Sequence, residues 1–186
     1  LTAAEMGTAL HAFLEHADFA ALAAAKTSGT LDEAICAERD RQVAVQLTPP
    51  EIAEKLDVRR IRRFAESDAF ARICAADAVL RELAFITALP ASAVLAAQGS
   101  AAPEGEAAKA SVLVQGIADI VLIFPDHLEL LDYKTDRRKT EADFLAAYRA
   151  QLNLYALAID KRFAPKKVTY KGIYSLELGK LIEVKG

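Results

Sequence analysis

Apolar side chains recur at every third or fourth position near the start of the chain: Leu10, Phe13, Leu14, Ala17, Ala21 and Leu22. That spacing lines one side of a helix and predicts one from Thr8 to about Ala25, opening at Gly7-Thr8. A second helical stretch covers Leu31 to Val45, and the pair Pro49-Pro50 breaks it off. The segments EIAEKLDVRRIRRFAES and DAFARICAAD again favour helix, so the first 77 residues read as wholly helical.

The period changes at AVLRELAFITAL, where Val79, Leu83, Phe85 and Ile86 suit a strand. The tract ASAVLAAQGSAAPEGEAAKA, roughly 88–110, reads as an irregular loop leaving a sheet. Two mostly apolar runs follow around a Pro-Asp break, QGIADIVLIFPDHLELLDYKT. A periodic helix then spans about Glu141 to Phe163, and VTYKGIYSL and KLIEV close the chain as two strands around Leu178-Gly179. The order is a helical part, 1–77, followed by βββαββ over 78–186. It predicts an α/β fold with a central mixed sheet flanked by helices.

Composition narrows this further. With 186 residues and 53% apolar content, the chain can bury a core of its own, and a single domain is expected. No stretch approaches the ~20 uninterrupted apolar residues of a membrane span, so a soluble protein is expected. The chain begins LTAAEMGTAL, with neither an initiator Met nor a signal peptide, as expected of a segment of a longer polypeptide. Cys36 and Cys74 form no CxxC pair, which disfavours zinc and iron–sulfur sites and leaves two reduced thiols as the simplest reading.

The unusual feature is an acid inside each apolar run, Asp119 and Asp132. A four-residue loop around Pro125-Asp126 makes them directly opposed across a hairpin, where like charges repel. Ile117, Val121, Ile123, Leu128 and Leu130 would share their face, while Ile120, Leu122, Phe124 and Leu131 occupy the other, as in a sheet covered on both sides. Opposed carboxylates withdrawn from water need a cation or a shared proton. Lys134, two residues beyond Asp132, falls on the same face. One reading is a buried Asp–Lys pair; the other is a divalent metal on oxygen ligands beside a lysine. Mg²⁺ suits the second, and the chemistry it implies is metal-assisted phosphodiester hydrolysis.

Taken together, GTALHAFLEH, RELAF, QGIADIV, LLDYKTD and YRAQLNLYALAI occur in an order that resembles the PD-(D/E)XK nucleases. The likeness is to the RecB-like branch, and within it to the C-terminal nuclease domains of the AddA kind of bacterial helicase–nuclease. The resemblance implies a restriction-endonuclease-like core. It also implies that His11, Asp119, Asp132 and the Tyr133 carbonyl hold the metal. Lys134 would be the catalytic lysine, Glu82 a further acid at the site and Gln151 a positioning group. Tyr155, four residues on and on the same helix face, would contact DNA or brace the helix.

A net charge of −3 hides an uneven distribution. Between Lys134 and Lys171 ten Lys and Arg residues face four acids, and Arg137, Arg138, Lys139 and Arg149 are candidates for backbone phosphates. VRRIRRF is a second basic cluster, as compatible with a solvated helix face as with DNA. There is no G-x-x-x-x-G-K-[ST]. By the resemblance, ATP would serve only upstream helicase domains of a longer chain. The cofactor would be Mg²⁺, with Mn²⁺ able to substitute. The partners would be single strands from unwound DNA ends and a second, AddB-like subunit, in the bacterial cytoplasm, with no membrane. A nuclease-like module that only binds DNA or another subunit, and a stand-alone RecB-like exonuclease, are the competing readings.

Overall fold

A computed structural model describes residues 2–101 and 104–186, apart from the side chains at 3, 4 and 108. The chain divides into two compact bodies: Leu1–Ala76 with Tyr133–Arg138 and Tyr174–Leu181, and Asp77–Asp132 with Lys139–Ile173 and Ile182–Gly186.

The first body is built on six helices: α1 (Ala3–His16), α2 (Phe19–Ser28), α3 (Leu31–Ala44), α4 (Pro50–Ala53), α5 (Val58–Ala65) and α6 (Asp68–Ala75). The single helix expected from Thr8 to Ala25 is two, because the Asp18 side chain accepts from the Ala21 N–H and starts α2 afresh. Asp57 caps α5 in the same way, dividing another continuous expectation. Thr2 and Glu5 form a reciprocal capping box on α1. Together with Lys55, that box holds the Glu5 carboxyl down at about 2.

The core of this body is aromatic. The Phe64 ring meets those of Phe19, Phe70, Tyr133 and Tyr174 at centroid separations of 5.2–6.2 Å, and the four contacts run from tilted to edge-on. The arginines of VRRIRRF support the fold: Arg60 pairs with Glu177 and Asp57, and Arg62 with Asp32 and Glu66. Gly7 is required by close approach, since a Cβ there would stand 2.8 Å from Oγ1 of Thr135.

The second body carries most of a five-stranded sheet, ordered β1-β2-β3-β4-β5, from β1 (Ala78–Pro90), β2 (Ser111–Ile123), β3 (Leu128–Lys134), β4 (Val168–Ser175) and β5 (Lys180–Glu183). β1, β2 and β3 are antiparallel neighbours. The Leu128 N–H donates to the Lys167 carbonyl and the Leu176 N–H to that of Lys134, so β4 runs parallel to β3. α8 (Glu141–Arg162) is the crossover that a parallel pair requires. The sheet is therefore mixed and helix-flanked, in the restriction-endonuclease-like manner.

The 88–110 tract is more regular than its composition suggests. It ends β1, forms α7 (Ala91–Ala97) and a 3-10 turn at Gly105–Lys109, and its residues 102 and 103 lie outside the described ones. Val94 on α7 and Phe144, Leu152, Ala158 and Ile159 on α8 pack with Phe85, Val114, Ala118, Val121, Leu128 and Leu130 of the sheet.

At the turn-proximal end of the β2–β3 hairpin both faces are buried, as expected: Ile120, Val121, Leu122, Leu130 and Leu131 are at most 1% exposed. The expectation fails farther out. Ile117 is 52% exposed, and so, similarly, are Leu113 and Ile86, so one face of the outer ribbon is bare. The alternation changes phase along the strands. Leu83, Phe85, Val114 and Ala118 pack into the core on one side of Glu82 and Asp119, and Leu80, Val121 and Ile123 on the other. Ile117 consequently does not share the core face of Val121. β1 is an outermost strand, and two of its carbonyls, Ala84 and Ala88, accept from the side chains of Arg162 and Lys161.

Candidate metal centre

The phase change coincides with the acids. Glu82 adopts φ +45°, a left-handed conformation that non-glycine residues in strands avoid. Arg81 pairs with Ile120 and Leu83 with Ala118, so Glu82 stands opposite Asp119 at an interruption of the ladder. Their carboxylate oxygens lie within 4.8 Å of each other, and both residues are half-buried.

On the other side of β2, Ile120 pairs with Leu131. Continuing that register by one residue puts Asp132 opposite Asp119, as the four-residue loop at 124–127 dictates. Glu82, Asp119 and Asp132 thus occupy one row across three neighbouring strands. Asp132 is only 4% exposed.

Glu82→Gly provides a test of this strain. Glycine adopts positive φ freely, so the variant should stabilise the β1–β2 ladder locally by about 1 kcal/mol. Amide exchange at Leu83 and Ala118 should slow, while divalent-cation affinity falls. Faster exchange at both positions would show that the Glu82 side chain, and not the ladder, holds the backbone there.

The remaining residues sit as follows. In the first body, His11 is half-buried on α1, its ring edge-on to Tyr133 at 5.8 Å. The Tyr133 ring packs on Phe64, and strand alternation sends Asp132 and Lys134 to the opposite face. Arg137 reaches the Met6 sulfur at 3.3 Å, and Arg138 is exposed with φ +59°.

In the second body, Lys139 lies over the Tyr148 ring. Gln151 and Tyr155 share a face of α8. The Tyr155 ring meets Phe85 edge-on at 4.9 Å and covers Gly116, where a Cβ would come within 2.7 Å of it, so its face is occupied by bracing contacts. Arg149, two residues before Gln151, points about 200° around the helix from it. The carboxylate row therefore gathers Glu82, Asp119 and Asp132 in this body, and Arg149 faces elsewhere. Two lysines and an asparagine on that other face, Lys171, Lys185 and Asn153, had no motif to mark them.

The sequence profile of the PD-(D/E)XK nuclease superfamily matches residues 1–183. The chain belongs to that superfamily. It is 35% identical over 190 residues to the AddA-type polypeptide of an ATP-dependent helicase/nuclease from Heliobacterium modesticaldum, covering 97% of this chain and 12% of that protein. It is 36% identical over 170 residues to the corresponding helicase/nuclease polypeptide of Bacillus mycoides, covering 87% and 13%, and 34% over 158 residues to that of Ligilactobacillus salivarius, covering 82% and 12%. The chain thus spans only 12% to 13% of the length of these relatives. Its likeness is to the AddA type of PD-(D/E)XK nuclease domain, as the motifs implied. Among the described residues no helix is long and apolar enough to cross a membrane.

Proposed function

We propose that this chain is the metal-dependent DNA-cutting domain, acting as an exonuclease, of a bacterial cytoplasmic helicase–nuclease that processes double-strand DNA ends for recombinational repair. ATP hydrolysis, unwinding and the association with a second, AddB-like subunit belong to other parts of that assembly. The observation that carries the reading is the Glu82–Asp119 pair, two carboxylates within 4.8 Å at a strained point of the sheet, on a row that Asp132 extends. Opposed acids at such a place are costly without a cation.

The donor set fits a hard divalent ion. Carboxylate oxygens from Glu82, Asp119 and Asp132 and the Tyr133 carbonyl suit Mg²⁺, with Mn²⁺ as a substitute. His11 is the nitrogen ligand that the family motif adds to them. When bound, the ion would supply an acidified water and stabilise charge on the phosphoryl oxygens. Lys134, on the face of Asp132, orients the attacking water or offsets the developing charge. Gln151 positions the strand, and Arg137, Arg138 and Lys139 neutralise its phosphates.

Binding is tested with Mn²⁺ on the full-length protein without nucleotide, followed by electron paramagnetic resonance. Asp119→Asn should weaken Mn²⁺ binding by about tenfold or more. Equal binding by the variant and the parent would remove Asp119 from the site and favour a module that only holds DNA or a partner protein.

A further inference from the structure

On the side of α8 away from Gln151, two adjoining hollows of ≈ 560 and ≈ 480 Å³ share Ala96, Ala97, Asn153 and Gly186 in their walls. Both are contained in the second body. The walls are mostly small: Ala96, Ala97 and Gly99 on one side, Ala142, Ala146 and Ala150 on the other. Into this groove come Arg149 and Lys185 in the larger hollow and Lys171 in the smaller.

The charges are unusual for a protein of net negative charge. Among the described residues neither Arg149 nor Lys185 has an acid within ion-pair distance. The Lys171 ammonium donates to Oδ1 of Asn153 at 2.5 Å and to the backbone oxygen of Gly186 at 3.0 Å. Asp160 lines the smaller hollow, but it accepts from the Val168 N–H at 2.7 Å and pairs with Lys167. Burial lowers the Lys171 pKa most and the neighbouring Arg149 adds to it, while Asp160 opposes both. Three cations against a single acid that Lys167 also claims favour an anionic ligand, because binding relieves their mutual repulsion.

We propose that this groove between α7 and α8 binds the phosphate backbone of a DNA strand, through Arg149, Lys171 and Lys185, at a place distinct from the carboxylate row. The choice of DNA rests on the nuclease reading above. Alanine and glycine walls let a backbone approach closely. No aromatic residue lines either hollow, so there is nothing for bases to stack on and binding should be indifferent to sequence. The track would hold a strand on the far side of α8 while the acids act on another part of it.

Lysine footprinting on the full-length protein tests this in EDTA, where no cutting can occur, so a failed nuclease assignment and a failed groove give different results. A thymidine oligonucleotide, shown to be bound by fluorescence anisotropy, should slow acetylation of Lys171 and Lys185 several-fold and leave exposed Lys180 unchanged. Arg149→Ala combined with Lys185→Ala should weaken oligonucleotide binding and reduce the slope of log affinity against log salt by about 2. Lys185→Ala alone, at an exposed position, should reduce it by about 1. Unaltered acetylation of both lysines with the oligonucleotide bound would overturn the proposal. So would lysines already protected without DNA, which would mean that another protein segment fills the groove.

Discussion

Asp132→Ala or Lys134→Ala in the full-length protein is expected to cut DNA degradation by about 10²–10³-fold or more, while ATP hydrolysis and strand separation continue. The expectation follows from β3. Its alternation commits Tyr133 to one face, where the ring packs at 5.4 Å from that of Phe64, and so commits Asp132 and Lys134 together to the other. Asp132 is nearly dry, continues the row of Glu82 and Asp119, and would bear directly on a bound ion. Alanine at either position leaves the strand in place and removes only a carboxylate or an ammonium. Degradation of a linear duplex in Mg²⁺ and ATP, scored beside ATP turnover, gives the measurement. Undiminished degradation by both variants would mean that the chemistry lies elsewhere.

The second large effect is on stability. Phe64 is fully buried and touches four other aromatic rings, so Phe64→Ala should cost about 3–5 kcal/mol, the range for deleting a large core aromatic. Read by hydrogen exchange in the full-length protein, amide protection in α5 and α6 should fall by about 10²–10⁴-fold. Val45→Ala, at a position 54% exposed, should change little. Because Tyr133 is one of the four partners, Phe64→Ala should also reduce cutting by loosening the strand that carries Asp132 and Lys134. Lost protection with undiminished cutting would show that Tyr133 does not anchor the site.

Much of this was legible in the chain. The hairpin register could be read from the Pro125-Asp126 break, because an even loop centred there fixes which residues oppose, and the pairs from Ile120–Leu131 to Ile123–Leu128 follow it. Gln151 and Tyr155 were placed on one face by helical geometry. The helix boundary at Asp18 was missed because the apolar period runs through it, and a short side chain capping three residues ahead leaves only a weak mark.

Ile117 was misassigned for a deeper reason. Strict alternation was assumed, and Glu82 at positive φ breaks it, a conformation that no propensity assigns to glutamate. The α7–α8 groove was invisible because its walls come from a tract whose composition resembles a loop, and its lysines lie in different strands and tails.

The capping of β1 by Lys161 and Arg162 has a consequence for how the chain is made. Those side chains follow the carbonyls they cover by 73 and 78 positions. The ribbon is complete once Ile123 is made, 38 and 39 positions before those two residues, so at ribosomal speeds it exists for about 2–8 s before its guard residues are synthesised. During that interval an open strand edge and the bare side chains of Ile86, Leu113 and Ile117 face the cell together, and the nascent protein is at its most adhesive.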